Sequence, residues 1–239
     1  MVEPAALLIA GIIFLAVFMQ GVVGFGLALI SMPLLVGLVG FQVAAPLVAL
    51  VGLVSQIVMI TYYRQAVKLS AITPLAIGSV IGIPLGVLAL KSVDEAIFSS
   101  VLGVLVIGYA VYELVTPRLP ELSHAGWGYA FGLAGGVLTG AFNTGGPPLV
   151  VYGTCRRWLH DEFKGNVQAL FLVHSVTVLV AHAAAGSFSD IVLRNFVVAV
   201  PAAALGLAGG IFLDRYLNQT VFRKIVLGTL ILLGINLLL

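Results

Sequence analysis

The sequence predicts an all-α polytopic membrane protein of two inverted-topology repeats, each an interrupted or re-entrant helix pair followed by three transmembrane helices. Three observations lead there. Apolar residues make up 61% of the 239-residue chain and charged ones 8%, with a mean hydropathy of +1.19, whereas soluble domains average about 45–50% and roughly 25%. Between Glu3 and Arg64 there is no Asp, Glu, Lys or Arg, more apolar chain than two spans of about 20 residues require. Finally, the apolar chain is interrupted at corresponding places in its two halves, around Gly24-Phe25-Gly26 and at Asn143-Thr144-Gly145-Gly146-Pro147-Pro148. Glycines loosen a helix there, and the proline pair removes two amide donors.

The elements follow from the spacing of apolar runs. Ala5 to Gln20 has no basic flank and no small-residue cleavage site, so it is expected to be retained rather than removed as a signal peptide. Beyond the first break come Phe25 to Val39, Val43 to Tyr63, Ala71 to Leu90 and Ala96 to Val115. Thr116 to Ser123, with Pro117, Arg118, Pro120 and Glu121, is the one extended polar stretch. It divides the chain into an N-terminal repeat (1–115), a linker (116–124) and a C-terminal repeat (125–239). The second repeat supplies Trp127 to Phe142, Pro147 to Trp158, Val167 to Ala185, Ile191 to Leu213 and Val221 to Leu239. Arg156, Arg157, His160, Asp161, Glu162 and Lys164 read as a solvated loop that sets topology and could attract anions. Asn166 and Gln168 then open the eighth segment, Asn166 being suited to cap it.

The halves resemble each other. Gln20 to Gly26 falls opposite Thr139 to Gly145 at an offset of 119 residues, and Gly78, Gly82 and Gly86 face Ala202, Gly206 and Gly210 at an offset of 124. Such duplication, with paired interrupted segments, marks secondary transporters and their sites. Small residues one turn apart let helix backbones approach closely, which is packing rather than chemistry.

Charge distinguishes two threadings. If each interrupted pair enters and leaves on one face, Arg64, Lys68, Arg118, Arg156, Arg157, Lys164, Arg215, Arg223 and Lys224 share one side, and Lys91 and Arg194 the other. If each pair crosses once, Lys91 joins the six later residues while Arg64, Lys68, Arg118 and Arg194 lie across, seven against four. Cytoplasmic loops are enriched in Lys and Arg, so the first threading is preferred and both termini are expected outside the cytoplasm.

Half-helices starting after Gly24 and Gly145 would point their N-termini toward the middle of the bilayer. A helix N-terminus carries about half a positive charge and several free N–H groups, which favours an anion. The candidate binding residues are Gln20, Gly24, Phe25, Gly26, Ser31, Gln56, Asn143, Thr144, Gly145, Gly146, Pro147 and Tyr152. Carboxylates, which a cation site would be expected to supply, are absent nearby. Gln20, Ser31 and Tyr152 could instead satisfy backbone groups that the breaks set free. Ser55-Gln56 matches His174-Ser175 at the 119-residue offset, within a residue, and both pairs are expected to face the protein interior. His174 is the candidate for handling a coupled proton; His182 lies nearer the end of its segment. Cys155 is the single cysteine and has no metal-ligand spacing around it.

Gly21-Val-Val-Gly-Phe-Gly with Ser31-Met-Pro33, and Gly140-Ala-Phe-Asn-Thr-Gly-Gly-Pro-Pro148 with Tyr152-Gly153, resemble the TauE/SafE family of sulfite exporters and sulfonate permeases. The resemblance covers the whole chain, although the first half has Val22, Val23 and Phe25 where many members carry further glycines. It implies transport of a small sulfur-containing anion such as sulfite, sulfoacetate or another sulfonate, held near Gly24 to Gly26, Asn143 to Pro148 and Tyr152.

The function expected is secondary transport of such an anion by alternating access, with protons as a candidate coupling ion. The alternatives are a carrier of another small organic anion or solute, or a membrane assembly partner that does not transport. An enzyme is not expected, because the spans contain no HExxH, no GxSxG and no aspartate. The chain carries no nucleotide-binding motif. No cofactor, metal or nucleic acid is expected; the partners implied are the anion, the lipid bilayer, protons and, in an oligomer, further copies of the chain. The expected location is the cell inner membrane.

Overall fold

The computed structural model describes residues 4–92, 94–115, 119–214, 216 and 219–239. Arg118 and Arg215 of the charge count, and Thr116 and Pro117 of the linker, lie outside the described residues. Those described form ten α-helices and a short 3-10 turn, with no strand: α1 Pro4–Val23, α2 Leu27–Val39, α3 Phe41–Tyr63, the turn Arg64–Ala66, α4 Leu69–Ser92 and α5 Glu95–Val115, then α6 Trp127–Phe142, α7 Gly146–Cys155, α8 His160–Ala184, α9 Asp190–Asp214 and α10 Gln219–Leu238. Among the described residues, six helices are long and apolar enough to cross a membrane, while Leu27–Val39 and Lys224–Leu238 are shorter apolar stretches. At 1.5 Å per residue the 13 residues of α2 and the 10 of α7 reach only about 20 and 15 Å, short of a hydrocarbon core of about 30 Å. Large apolar side chains such as Leu7, Ile57, Val104 and Leu205 remain exposed, as expected of helices that are apolar all round and solvated by lipid.

Most boundaries fall within three residues of the sequence expectation, α1 running on to Val23 and α7 stopping at Cys155; one differs by more. The eighth helix starts at His160 rather than Val167, because Asp161 and Glu162 in its first turn complement the helix dipole and let charged residues join it. Asn166 is therefore no cap. It sits in the second turn of α8, and its Oδ1 accepts from the Lys68 N–H at 2.8 Å, holding the α3–α4 turn.

The chain divides into two compact units that cut across the sequence halves. One comprises residues 1–51, 92–117 and 189–239, the other 52–91 and 118–188, the boundary falling inside α3. In the first unit α1 packs along α9, α10 along α5, and α2 against α1, α5 and α10. The Glu95 carboxylate accepts from the Phe41 N–H at 3.0 Å, capping α3. In the second unit α7 packs on α6 and α8, and Ile72, Leu75, Leu149, Tyr152 and Leu170 form a buried cluster.

The glycine stripes make close crossings. On α4, Gly82 lies against Leu133 O and Val137 N of α6, and Gly86 against Val137 O and the Gly140 Cα. On α9, Gly206 lies against Phe14 O and Phe18 N of α1, and Gly210 against Phe18 O and the Gly21 Cα. Under the offsets of 119 and 124 these two sets of contacts correspond residue for residue. In both, a helix from one half of the chain packs on the interrupted pair of the other.

At one end of the second unit, three segments meet. Lys68 Nζ pairs with Glu162 at 2.8 Å. Arg156 Nη1 donates to Leu122 O and Ser123 O at 2.6 and 2.7 Å, and Arg157 Nη2 to Leu119 O at 3.0 Å. These arginines are thus engaged with the linker rather than forming a freely solvated loop. Lys68, the linker and Arg156 therefore meet at one end of this unit.

Candidate anion sites at the helix breaks

The second break is built from the end of α6 and the start of α7. Asn143 adopts a left-handed conformation, φ 54°, which asparagine tolerates. Its N–H donates to Thr139 O at 2.8 Å, and the Thr144 N–H to Leu138 O at 3.3 Å. Thr144 Oγ1 donates to Phe142 O at 2.8 Å. Asn143 and Thr144 therefore close the C-terminus of α6 with these groups. The amides left over belong to the start of α7. Pro147 and Pro148 occupy its first turn, where the lack of N–H costs nothing, so the two donors remaining there are Gly145 and Gly146, which donate to no group among the described residues. A Cβ on Gly145 would run into Thr139 Oγ1 and lie 2.7 Å from Gly135 O, so no side chain fits there.

His174 borders this break. It is buried on α8, with Nδ1 3.0 Å from Thr139 Oγ1 of α6 and Nε2 2.8 Å from Ser79 Oγ of α4. Its Cε1 would be 3.2 Å from a Cβ on Gly145. The other candidates of this unit lie apart from the break. Tyr152 is seven residues along α7, packed against Phe131 and Trp158 at 5.5 and 5.7 Å between ring centroids, and its hydroxyl makes no hydrogen bond among the described residues. Gln56 joins Gln168 of α8, its Nε2 donating to Gln168 O at 2.9 Å.

In the first unit the break runs through Gly24, Phe25 and Gly26. Gly24 and Gly26 have φ of 89° and 114°, a region closed to most side chains. Gly24 and Asn143, opposite each other at the 119-residue offset, are both left-handed; Gly26 and Gly145 differ, since Gly145 has φ −78°. The Gly24 N–H donates to Gln20 O at 2.7 Å, and α2 begins without a side-chain cap. Ser31 is buried one turn on, its hydroxyl donating to Leu27 O at 2.7 Å. Phe25 meets Tyr109 edge to face at 6.2 Å. A mostly apolar pocket beside this break is lined in part by Phe25, Gly26, Leu29, Tyr109 and Glu113.

Ser79 and Thr139 were not among the candidates from sequence. Both sit in small-residue runs, Gly78-Ser79 and Thr139-Gly140, which read as packing; a hydroxyl in such a run, with a histidine in another span, is the signal that could have found them.

Architecture and breaks together define a multi-pass α-helical membrane protein with two interrupted helix pairs. The profile described as "Sulfite exporter TauE/SafE" matches residues 9–237, and the chain belongs to that family. It is 27% identical over 228 residues to a Cupriavidus necator protein named "Probable sulfite/organosulfonate exporter TauE", covering 93% of this chain and 89% of that one. No solved structure is significantly similar.

Proposed function

We propose that the protein is a secondary transporter that carries a small sulfur-containing anion, sulfite or an organosulfonate, across the cell inner membrane by alternating access. The observation that carries this is the second break, where two prolines and a capped α6 leave the Gly145 and Gly146 amides as donors with no partner among the described residues, beside α7. Negative charge is favoured at such a terminus. The amides at the start of α2, after Gly26, offer the same chemistry at the first break. Gly24 and Asn143 shape the turns, whereas Ser31, Tyr152 and Gln56 serve packing or backbone satisfaction. Membership of the exporter family and the name of the Cupriavidus relative support both the anion class and outward transport.

The inverted arrangement of the repeats, with both termini outside the cytoplasm, belongs to the same proposal. It is supported by the nine-to-two distribution of basic residues and by the shared end of Lys68, the linker and Arg156. Flux from sealed liposomes tests the reading. Sulfite and alkanesulfonates should cross faster than from protein-free vesicles, and each should compete with the other in preference to chloride. Correctly folded protein that moves none of them would overturn it.

A further inference from the structure

We propose that His174 is a proton site whose charge state sets anion affinity at the adjoining break, with Ser79 and Thr139 as the residues that position the ring for both states. This rests on the anion-transport reading. Each hydroxyl that meets the ring also reaches a helix carbonyl: Thr139 Oγ1 to Gly135 O at 2.8 Å and Ser79 Oγ to Gly132 O at 3.0 Å. Neutral imidazole has one N–H, imidazolium two, and a hydroxyl has one proton to give. In the neutral state one hydroxyl accepts from the ring and donates to its carbonyl, while the other turns its proton toward the bare nitrogen. In the charged state both hydroxyls accept from the ring and both donate to carbonyls. All partners are then satisfied without a carboxylate, and the two states differ by one hydroxyl rotation and one proton taken up from water.

A buried imidazolium still needs countercharge. Among the described helices of this unit, no charged residue lies near it along its helix. On α4 the only charged residue is Lys91, twelve residues from Ser79; α6 has only Tyr129 to titrate, and α7 only Tyr152 and Cys155, seven and ten residues past Gly145. The titratable residues of α3 in this unit are Tyr62 and Tyr63, at its end; on α8, His160, Asp161, Glu162, Lys164 and His182 are eight or more residues from His174. The bound anion is the natural counterion, because Gly145, whose amide begins the proposed site, lies against both the ring edge and Thr139. Proton and anion then raise each other's affinity by the same factor. The matching positions in the repeat are Ser55 for His174, Gln20 for Thr139 and Ala203 for Ser79, none of which titrates, so the repeat does not duplicate this proton site at the corresponding positions.

The test uses isethionate, which stays ionised throughout, in place of sulfite, which itself takes up a proton. Wild-type protein should bind isethionate about tenfold more tightly at about pH 5 than at about pH 8. His174→Gln should bind with no such rise. Ser79→Ala leaves the charged ring one acceptor short and should move the rise to lower pH. The inference is overturned if His174→Gln keeps the wild-type rise, if folded Ser79→Ala titrates like wild type, or if wild-type binding is flat with pH; in each case the anion site stands. Failure of folded wild-type protein to bind either isethionate or sulfite at either pH would overturn the functional reading, and this inference with it.

Discussion

The absence of a side chain at Gly145 shapes the second break. Gly145→Ala drives a methyl into Thr139 Oγ1 and the Gly135 carbonyl, and overpacking of this kind costs about 1–3 kcal/mol. The expected result is a lower unfolding temperature together with loss of ligand-dependent stabilisation. Tyr152→Phe should behave differently, because the ring is packed in the core and its hydroxyl bonds to nothing described. Binding should persist at near wild-type affinity, whereas Tyr152→Ala should cost about 3–5 kcal/mol of stability; impaired binding by stable Tyr152→Phe would return the tyrosine to the site. The breaks and His174 were legible because glycine, proline and histidine are conspicuous in apolar chain. The role of Asn166 was not, since its partner Lys68 is 98 residues away in sequence, and neither were the hydroxyls at His174, which lie 35 and 95 residues from it.

At the scale of helices, the crossings rather than an amphipathic face carry the specificity, because lipid is as apolar as the interior. Gly82→Ala and Gly86→Ala should each destabilise the protein, since a Cβ would collide with the backbone of α6, while at Gly108 of α5 it would meet nothing. Thermal unfolding in detergent should show a loss of about 1–3 kcal/mol for the first two and a small gain for Gly108→Ala, as expected for alanine in a helix interior. Equal effects at all three would mean that the close crossings do not form. Helix positions were legible from hydropathy to within a few residues for nine of the ten. The start of α8 was not, because a charged run reads as loop until the dipole preference of Asp161 and Glu162 is weighed against it.

For the whole molecule, segregation of basic residues predicts sidedness. In a Cys155→Ala background, Ser123→Cys should react with an impermeant thiol reagent only from the cytoplasmic side, and Ser189→Cys only from outside; both positions are exposed. Labelling of both from one side would remove the inverted plan, because the competing threading places Arg118 and Arg194 together. The matching helix breaks and glycine stripes could be read from residue spacing. The interleaving of the units could not, since hydropathy marks where spans are and says nothing of which spans touch.

That interleaving bears on how the protein is made. Helix α1 emerges from the ribosome well before its packing partner α9, which begins at Asp190, so the surface around Phe14, Phe18 and Gly21 must wait in the bilayer while the intervening helices are inserted. A nonsense mutation ahead of α9 would therefore strip α1 of its partner as well as remove α9 and α10, and the stalled product would meet membrane quality control with a helix synthesised far upstream of the stop left unassembled.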